Sequence, residues 1–388
     1  MKKYDFETLV DRSKSHCCKW NVESGCLPMS IADMDFPVCD EIRLSLKERL
    51  EHPIYGYTEP DDDFYQAYID FYQKRHSLSL KKEWMFFSTG VVPTISSTVR
   101  KLTSLGDNVV VLSPVYNIFY NSIINNGRNI LQVPLLYINQ RFEIDFDALQ
   151  KALQDEKTTL MILCNPGNPT SKIFTRDELE KIGKLAFENS VVVLSDEIHC
   201  ELTRPGLNYT PFISVNETNI NNCVMAIAPT KTFNLAGIQS SLVVIPNPEL
   251  RRKVNRQLNT DECAEPNILS CEAAKAAFRY GEEWLDQLRE VLFENRRIVM
   301  DFIDKEIPSL SYCLGDATYL LFLDISKLPM ASEEFCRFLK EKTGLILNPG
   351  KVYGGLGDRF VRMNVALPKT RLLDGLNRLH KGVELLLG

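Results

Sequence analysis

The sequence predicts an α/β protein: a mainly parallel, seven-stranded sheet with helices on both faces, joined to a smaller α+β unit built from the chain's two ends. Two observations predict it. From Trp84 to Pro246, strand, turn and helix signals alternate, as they do in crossover-connected parallel sheets. Several strand candidates are unbroken apolar runs, the pattern of strands covered on both sides. A third observation sets the scale: the 388 residues contain no internal repeat and no low-complexity linker.

Composition narrows the classes. With 44% hydrophobic and 25% charged residues, the chain reads as an ordinary soluble globular protein. Its 45 Lys and Arg against 51 Asp and Glu give a net charge of -6, and no basic cluster exceeds Arg251-Arg252-Lys253, so nothing recommends a nucleic acid as partner. Met1 to Glu7 lacks the apolar core of a signal peptide, and the apolar runs fall short of a membrane span; the expectation is a cytoplasmic protein with no membrane partner. The eleven cysteines include no CxxC pair. Cys164, Cys200, Cys223 and Cys271 sit singly in apolar runs as reduced core residues do, and no metal is expected.

Taken in order, residues 1 to 35 are irregular and lead through Leu27 to Pro37, where Asp33 and Asp35 stand in apolar surroundings. Without a nearby histidine or third carboxylate, a loop packed on the body is expected there rather than a metal site. A helix follows from about Cys39 to Leu50, then a turn with Tyr55 and Tyr57. From Pro60 to His76, Phe64, Tyr68, Phe71 and Tyr72 recur at the helical period, and Asp61, Asp62 and Asp63 suit the positive end of the helix dipole.

The strand candidates are Met85 to Ser88, Asn108 to Leu112, Asn129 to Pro134, Leu160 to Cys164, Val191 to Ser195, Cys223 to Ala228 and Leu242 to Ile245. Between them, Thr175 and Glu178 form a capping box for a helix reaching Asn189. After Asn247 the chain is helical, including Trp284 to Lys305. It then alternates: Thr318 to Asp324 as strand, Ser332 to Lys342 as helix, Arg359 to Leu367 as strand and Thr370 to Leu387 as helix. The expected division is an N-terminal arm over 1–50, a large domain over 51–285 and a small domain over 286–388.

Ligands of open α/β sheets bind at the carboxyl ends of the strands, and four motifs fall there. Lys231 follows the Cys223 to Ala228 strand, flanked by the hydroxyls of Thr230 and Thr232; it suits a phosphate-bearing aldehyde, or is a solvated surface lysine. Asp196, in Ser195 to His199, either pairs with a protonated ring nitrogen or caps a helix. Cys164 to Thr170 holds two prolines and a glycine that can aim Asn168, or is simply a turn. Ser88 to Val92 passes through Gly90 into a helix start whose free N–H groups can receive a phosphate.

On the last strand, Val361, Met363, Val365 and Leu367 form one apolar face, which leaves Arg362 and Asn364 on the other. A half-buried arginine needs an anion, either an internal carboxylate or a bound one.

The order and spacing of these strings resemble the fold-type I pyridoxal-phosphate enzymes of the aminotransferase class I and II group, and within it the cystathionine β-lyases of the MalY/PatB type. The strings are Ala-Asp-Met-Asp-Phe, Tyr-Gly-Tyr-Thr, Gly-Val-Val-Pro, Pro-Val-Tyr, Asn-Pro-Gly-Asn-Pro-Thr, Ser-Asp-Glu-Ile-His, Lys-Thr-Phe-Asn-Leu-Ala-Gly, Ala-Thr-Tyr-Leu and Phe-Val-Arg-Met-Asn, and they cover nearly the whole chain.

The resemblance implies that Lys231 carries the cofactor as a Schiff base, that Asp196 partners the pyridine nitrogen and that Asn168 meets the phenolic oxygen. Tyr116 would stack on the ring, and Ile198 would lie on its other face. Gly90, the Val91 and Val92 amides and the Thr230 hydroxyl would hold the phosphate. Arg362, with Asn168 and Tyr57, would bind the substrate, Arg362 taking its α-carboxylate. Tyr57 would reach the phosphate of the neighbouring subunit, which implies a homodimer with shared sites. The implied reaction is α,β-elimination from S-substituted cysteines; a class I/II aminotransferase and a regulatory protein on the same scaffold are the alternatives. The chain departs from the family pattern at Gly167, Ser171 and Ala228.

Overall fold

In the computed structural model, which describes residues 2–388, the apolar runs become strands of one sheet. In chain order they are β1 (Met85–Ser88), β2 (Asn108–Ser113), β3 (Asn129–Pro134), β4 (Thr158–Cys164), β5 (Val192–Asp196), β6 (Cys223–Ile227) and β7 (Ser241–Val244). Their spatial order is β1-β7-β6-β5-β4-β2-β3, with β7 antiparallel to both neighbours and the other pairs parallel. Six of these strands, β1 to β6, therefore deliver their carboxyl ends to one rim of the sheet.

Successive side chains of a strand face opposite ways, and here both faces are covered. In β6, Val224 and Ala226 join a core with Ile95 and Val99, whereas Met225 and Ile227 join the larger core with Phe233 and Phe278. Each fully buried Val, Leu or Ile contributes about 1.5–3 kcal/mol, so a polar residue at either phase would be costly. The unbroken apolar runs are the sequence's record of that.

The helices follow their caps. Helix α1 spans Asp40–Glu51 and α2 spans Asp62–His76, where the Asp61 carboxylate accepts from Phe64 N at 2.7 Å. Helix α3 (Val91–Leu102) packs on the sheet and starts at Gly90. Helix α4 (Arg176–Glu188) has the expected capping box: Glu178 N donates to Thr175 Oγ1 at 3.2 Å and Thr175 N to Glu178 Oε2 at 2.7 Å. The long α5 (Glu282–Glu306) and α6 (Lys369–Leu387) lie beside a second sheet. No helix among the described residues is long and apolar enough to cross a membrane.

The second sheet is antiparallel, with β8 (Ser311–Tyr312), β9 (Leu320–Asp324), β10 (Asn348–Pro349) and β11 (Phe360–Asn364) in the order β8-β9-β11-β10. Two strands are shorter than their apolar patterns predict. β11 stops at Asn364 rather than Leu367, because the Asn364 side chain accepts from Ala366 N at 2.8 Å and pulls the chain out of the ladder. β9 starts at Leu320 rather than Thr318, which has φ 62 and donates its amide to Leu202 O.

The N-terminal segment reaches this second sheet directly. Leu27–Pro28 pairs parallel with Leu345–Ile346, and residues 30–36 then cross between β11 and the loop that follows β6. This crossing strap is a packed loop, and Asp33 and Asp35 find cations in it: Arg12 at 2.8 Å and 2.7 Å respectively, with Lys19 3.3 Å from Asp35.

Candidate active site

At the carboxyl rim of the first sheet, a cavity of about 280 Å³ opens between β1, β4, β5 and β6. The turn after β1 contributes Gly90, Val91 and Val92; β5 contributes Asp196, followed by Ile198; and Thr230 and Lys231 come from the single helical turn after β6. Tyr116, after β2, and Asn168, after β4, complete the wall. Nine of the residues named from the sequence thus share one cavity.

The phosphate end is a helix start. The amides of Val91 and Val92 lie in the first turn of α3, where helix N–H groups have no intrahelical acceptor. A Cβ on Gly90 would come within 3.2 Å of Pro93 Cδ, so the glycine lets the turn close against the helix.

Three ionisable groups, two of them buried and Lys231 half-buried, have no salt-bridge partner among the described residues. Asp196 is 3% exposed, and its carboxylate receives only the Ile198 amide, at 3.1 Å. Burial pushes its carboxyl up to about 7, against a smaller downward pull from Lys231. The Lys231 amine donates to the Ala32 carbonyl at 2.7 Å; burial first, and then Arg362, bring it down to about 8. Arg362, on β11, is 4% exposed and donates to Asn168 Oδ1 at 3.1 Å, Ser30 O at 3.0 Å and Asn348 Oδ1 at 3.3 Å. Its Nε has no partner. Of the two anions open to Arg362 on sequence grounds, the internal carboxylate is absent among the described residues.

A buried charge without a partner is costly, and a ligand bearing a cationic ring nitrogen, an aldehyde and a phosphate answers this donor set. Asp196 would face the nitrogen, Lys231 the aldehyde and the α3 amides the phosphate, so the residues fit pyridoxal phosphate.

Tyr57 does not join the cavity of its own chain. It is fully solvent-exposed, in a turn where Ile54 and Tyr55 are exposed as well. Gly167 and Ser171 have structural causes. A Cβ at Gly167 would lie 2.3 Å from Thr170 Oγ1. Ser171 holds φ 55 and is kept there by its hydroxyl, which donates to Leu320 O at 3.0 Å and accepts from Arg296 at 3.2 Å. Ala228 is buried and caps the turn bearing Lys231 with its backbone alone.

Sequence reasoning missed three residues. His199 lines the cavity at 2% exposure with Nδ1 unpartnered; burial, helped by Lys231 and Arg362, brings it down to about 3, so the imidazole is neutral. Asn234 holds the strap through Met34 N, Met34 O and Phe36 O, each at 3.0 Å. Tyr319 is wholly buried and donates to the Ala32 carbonyl at 3.0 Å. All three lie inside strings quoted above, but nothing in their spacing reveals the contact.

The chain matches the family "Aminotransferase class I and II" over residues 24–379, and it belongs to that family. Within it, the chain is 38% identical to cystathionine beta-lyase PatB of Bacillus subtilis, the match covering 98% of this chain and 100% of the relative. It is 29% identical to Protein MalY of Escherichia coli, over 98% and 99% of the two chains. Among solved structures, cystalysin from Treponema denticola, which contains a pyridoxal 5'-phosphate cofactor, superposes with a TM-score of 0.96 at 30% identity, covering 99% of this chain and 100% of that one.

Proposed function

We propose that the protein is a pyridoxal-phosphate-dependent carbon–sulfur β-lyase that cleaves L-cystathionine or related S-substituted L-cysteines to a thiol, pyruvate and ammonia. The carrying observation is that buried Asp196, buried Arg362 and half-buried Lys231 converge at one place without forming salt bridges among the described residues. Similarity to PatB favours elimination over transamination.

Bound pyridoxal phosphate supplies the electron sink for a carbanion at the amino acid's Cα. The chain supplies the rest. Lys231 would hold the cofactor, and its free amine would take the Cα proton. A lysine brought to about 8 keeps a substantial neutral fraction near neutral pH. The Asp196 carboxylate keeps a proton on the facing ring nitrogen; that proton in turn offsets the cost of burying the anion. Arg362 binds the α-carboxylate, its planar fork matched to two oxygens, while Asn168 fixes one guanidinium nitrogen. Loss of the thiolate from Cβ, followed by addition of water, completes the balance. For cystathionine the products are homocysteine, pyruvate and ammonia.

A second cavity, of about 640 Å³, shares Ala32, Lys231 and Ala236 with the first and extends along the strap, which leaves room for the sulfur substituent. We place the enzyme in the cytoplasm and read it as a homodimer in which Tyr57 serves the partner's phosphate; its full exposure in one chain supports that assignment.

Purified protein given L-cystathionine should release pyruvate and thiol in equal amounts. Given an amino acid and 2-oxoglutarate, it should form glutamate far more slowly. Fast glutamate formation without thiol release would make it an aminotransferase. For the shared site, Tyr57→Ala and Lys231→Ala chains, each impaired alone, should recover activity when exchanged into heterodimers, since one hybrid site keeps both residues. No recovery in verified heterodimers would confine Tyr57 to its own chain.

A further inference from the structure

The strap is held by its own carbonyls. Arg362 takes Ser30 O at 3.0 Å, Asn364 takes Ile31 O at 2.6 Å and Asp33 O at 2.7 Å, and Asn234 takes Met34 O and Phe36 O. The Ala32 carbonyl differs in what it faces: its donors are Lys231 Nζ at 2.7 Å and the Tyr319 hydroxyl at 3.0 Å. Tyr319 stands just before β9, is wholly buried and has no other hydrogen bond from its hydroxyl.

We propose that Tyr319 is a positioning residue for Lys231, acting through the Ala32 carbonyl that the two side chains share. A carbonyl oxygen has two lone pairs, and both are used here. With one lone pair committed to Tyr319, the oxygen is a weaker acceptor for an ammonium and favours the charged lysine less. The carbonyl still takes one N–H of the neutral amine, which leaves the nitrogen lone pair a fixed direction. The strap's other anchors keep that oxygen in place. The remaining charged and titratable groups facing Lys231 are Arg362, Asp33, Asp196 and neutral His199; Arg362 and Asp33 also act on Tyr319, and the His199 ring lies edge-on 6.3 Å from the Tyr319 ring, which Tyr319→Phe retains.

The inference deepens the proposed lyase chemistry and rests on it for the proton transfer, but one readout needs no turnover. In the cofactor-free full chain, the pH dependence of reductive methylation at Lys231, followed by mass spectrometry, gives the amine's midpoint. Tyr319→Phe should raise it by about half a pH unit. Site-specific 3-fluorotyrosine at 319, a stronger donor of nearly the same shape, should lower it and guards against a misfolded variant. In the loaded enzyme, Tyr319→Phe should cut kcat about tenfold, leave KM within about twofold and enlarge the isotope effect from Cα-deuterated substrate. An unmoved midpoint in both variants, or a loss confined to KM, would overturn the proposal. Shifted midpoints in a protein that releases no thiol would leave the positioning role standing and remove the lyase reading instead.

Discussion

Two groups of buried charges lie on either side of the strap, and they are built on opposite terms. On one side Arg12, Lys19, Asp33 and Asp35 neutralise one another: the Lys19 and Asp35 side chains are fully buried and 3.3 Å apart. On the other side Asp196 and Arg362 are buried and Lys231 is half-buried, and no salt bridge reaches any of them among the described residues. The same strap touches both groups, so burial alone does not separate them. The difference is whether the countercharge comes from the chain. A closed ion cluster fixes a loop in place; an open one is a set of places for someone else's charges.

Substitutions should therefore act on rate on the open side and on stability on the closed side. The largest effect is expected from Lys231→Ala, which under the proposed function removes both the covalent anchor and the base: turnover should fall at least about 10⁴-fold, on the order of 5.5 kcal/mol. Borohydride treatment should link cofactor to Lys231 in the wild type and leave this variant unlabelled. Turnover at the wild-type rate would end the mechanism.

Asp196→Ala should cost about 10³-fold in Cα deprotonation, roughly 4 kcal/mol, and Asp196→Glu less, since the carboxylate acts by its charge. Exchange of the Cα proton in deuterated solvent measures that step directly. An alanine variant that exchanges normally would make Asp196 a turn cap and nothing more.

On the closed side, Asp35→Ala leaves buried Lys19 only the Asp33 carboxylate, 3.5 Å away and shared with Arg12, and should lower unfolding stability by about 3 kcal/mol, read as a shift in the denaturant midpoint. A neutral result would mean that the cluster is no tighter than a surface pair.

The smallest effect sharpens the comparison by pH. The folded Asp196 carboxyl, at about 7 against an ordinary 3.8, and Glu197, raised by burial to about 7 from 4.5, keep protons that the unfolded chain has lost. Their stabilising contribution is full below the ordinary values and is lost as pH rises toward 7. Lys231 acts in the other direction above about 8, where the unfolded chain still holds its proton up to 10.5, so stability recovers there. The cofactor-free protein should thus melt at a lower temperature at about pH 8 than at about pH 5, and Asp196→Asn should flatten part of that slope. An unchanged slope in the asparagine variant would mean that Asp196 does not carry it.

What the sequence made legible follows the same line. Most strands of the first sheet could be read because covering both faces forces apolar runs, the edge strand β3 with its single buried residue being the exception, and α4 because a capping box is a local device. Strand ends were less legible: β11 ends where the Asn364 side chain bonds two residues ahead, and β8 and β10, of two residues each, are too short to show a period. Lys231, Asp196 and Asn168 could be picked out because they follow strands in rigid, punctuated turns. Asn234, His199 and Tyr319 could not. Asn234 meets Met34 across 200 residues and Tyr319 meets Ala32 across 287, and no spacing rule reaches that far.

The bond from Asn364 to Ile31 spans 333 residues, and it closes only after β11 exists. The strap's bonds to Arg362 and Asn364 can therefore form only after β11 has been made, although Asn234 can hold Met34 and Phe36 earlier. The large sheet can fold during synthesis, whereas the strap that presents a carbonyl to Lys231 cannot be in place on an unfinished chain. Long-range closure of this kind is slow relative to local folding. A chain cut short before residue 360 would have its lysine and its sheet but no Arg362 and only the Asn234 anchors of the strap, so the site is completed by β11 as a step rather than growing with chain length.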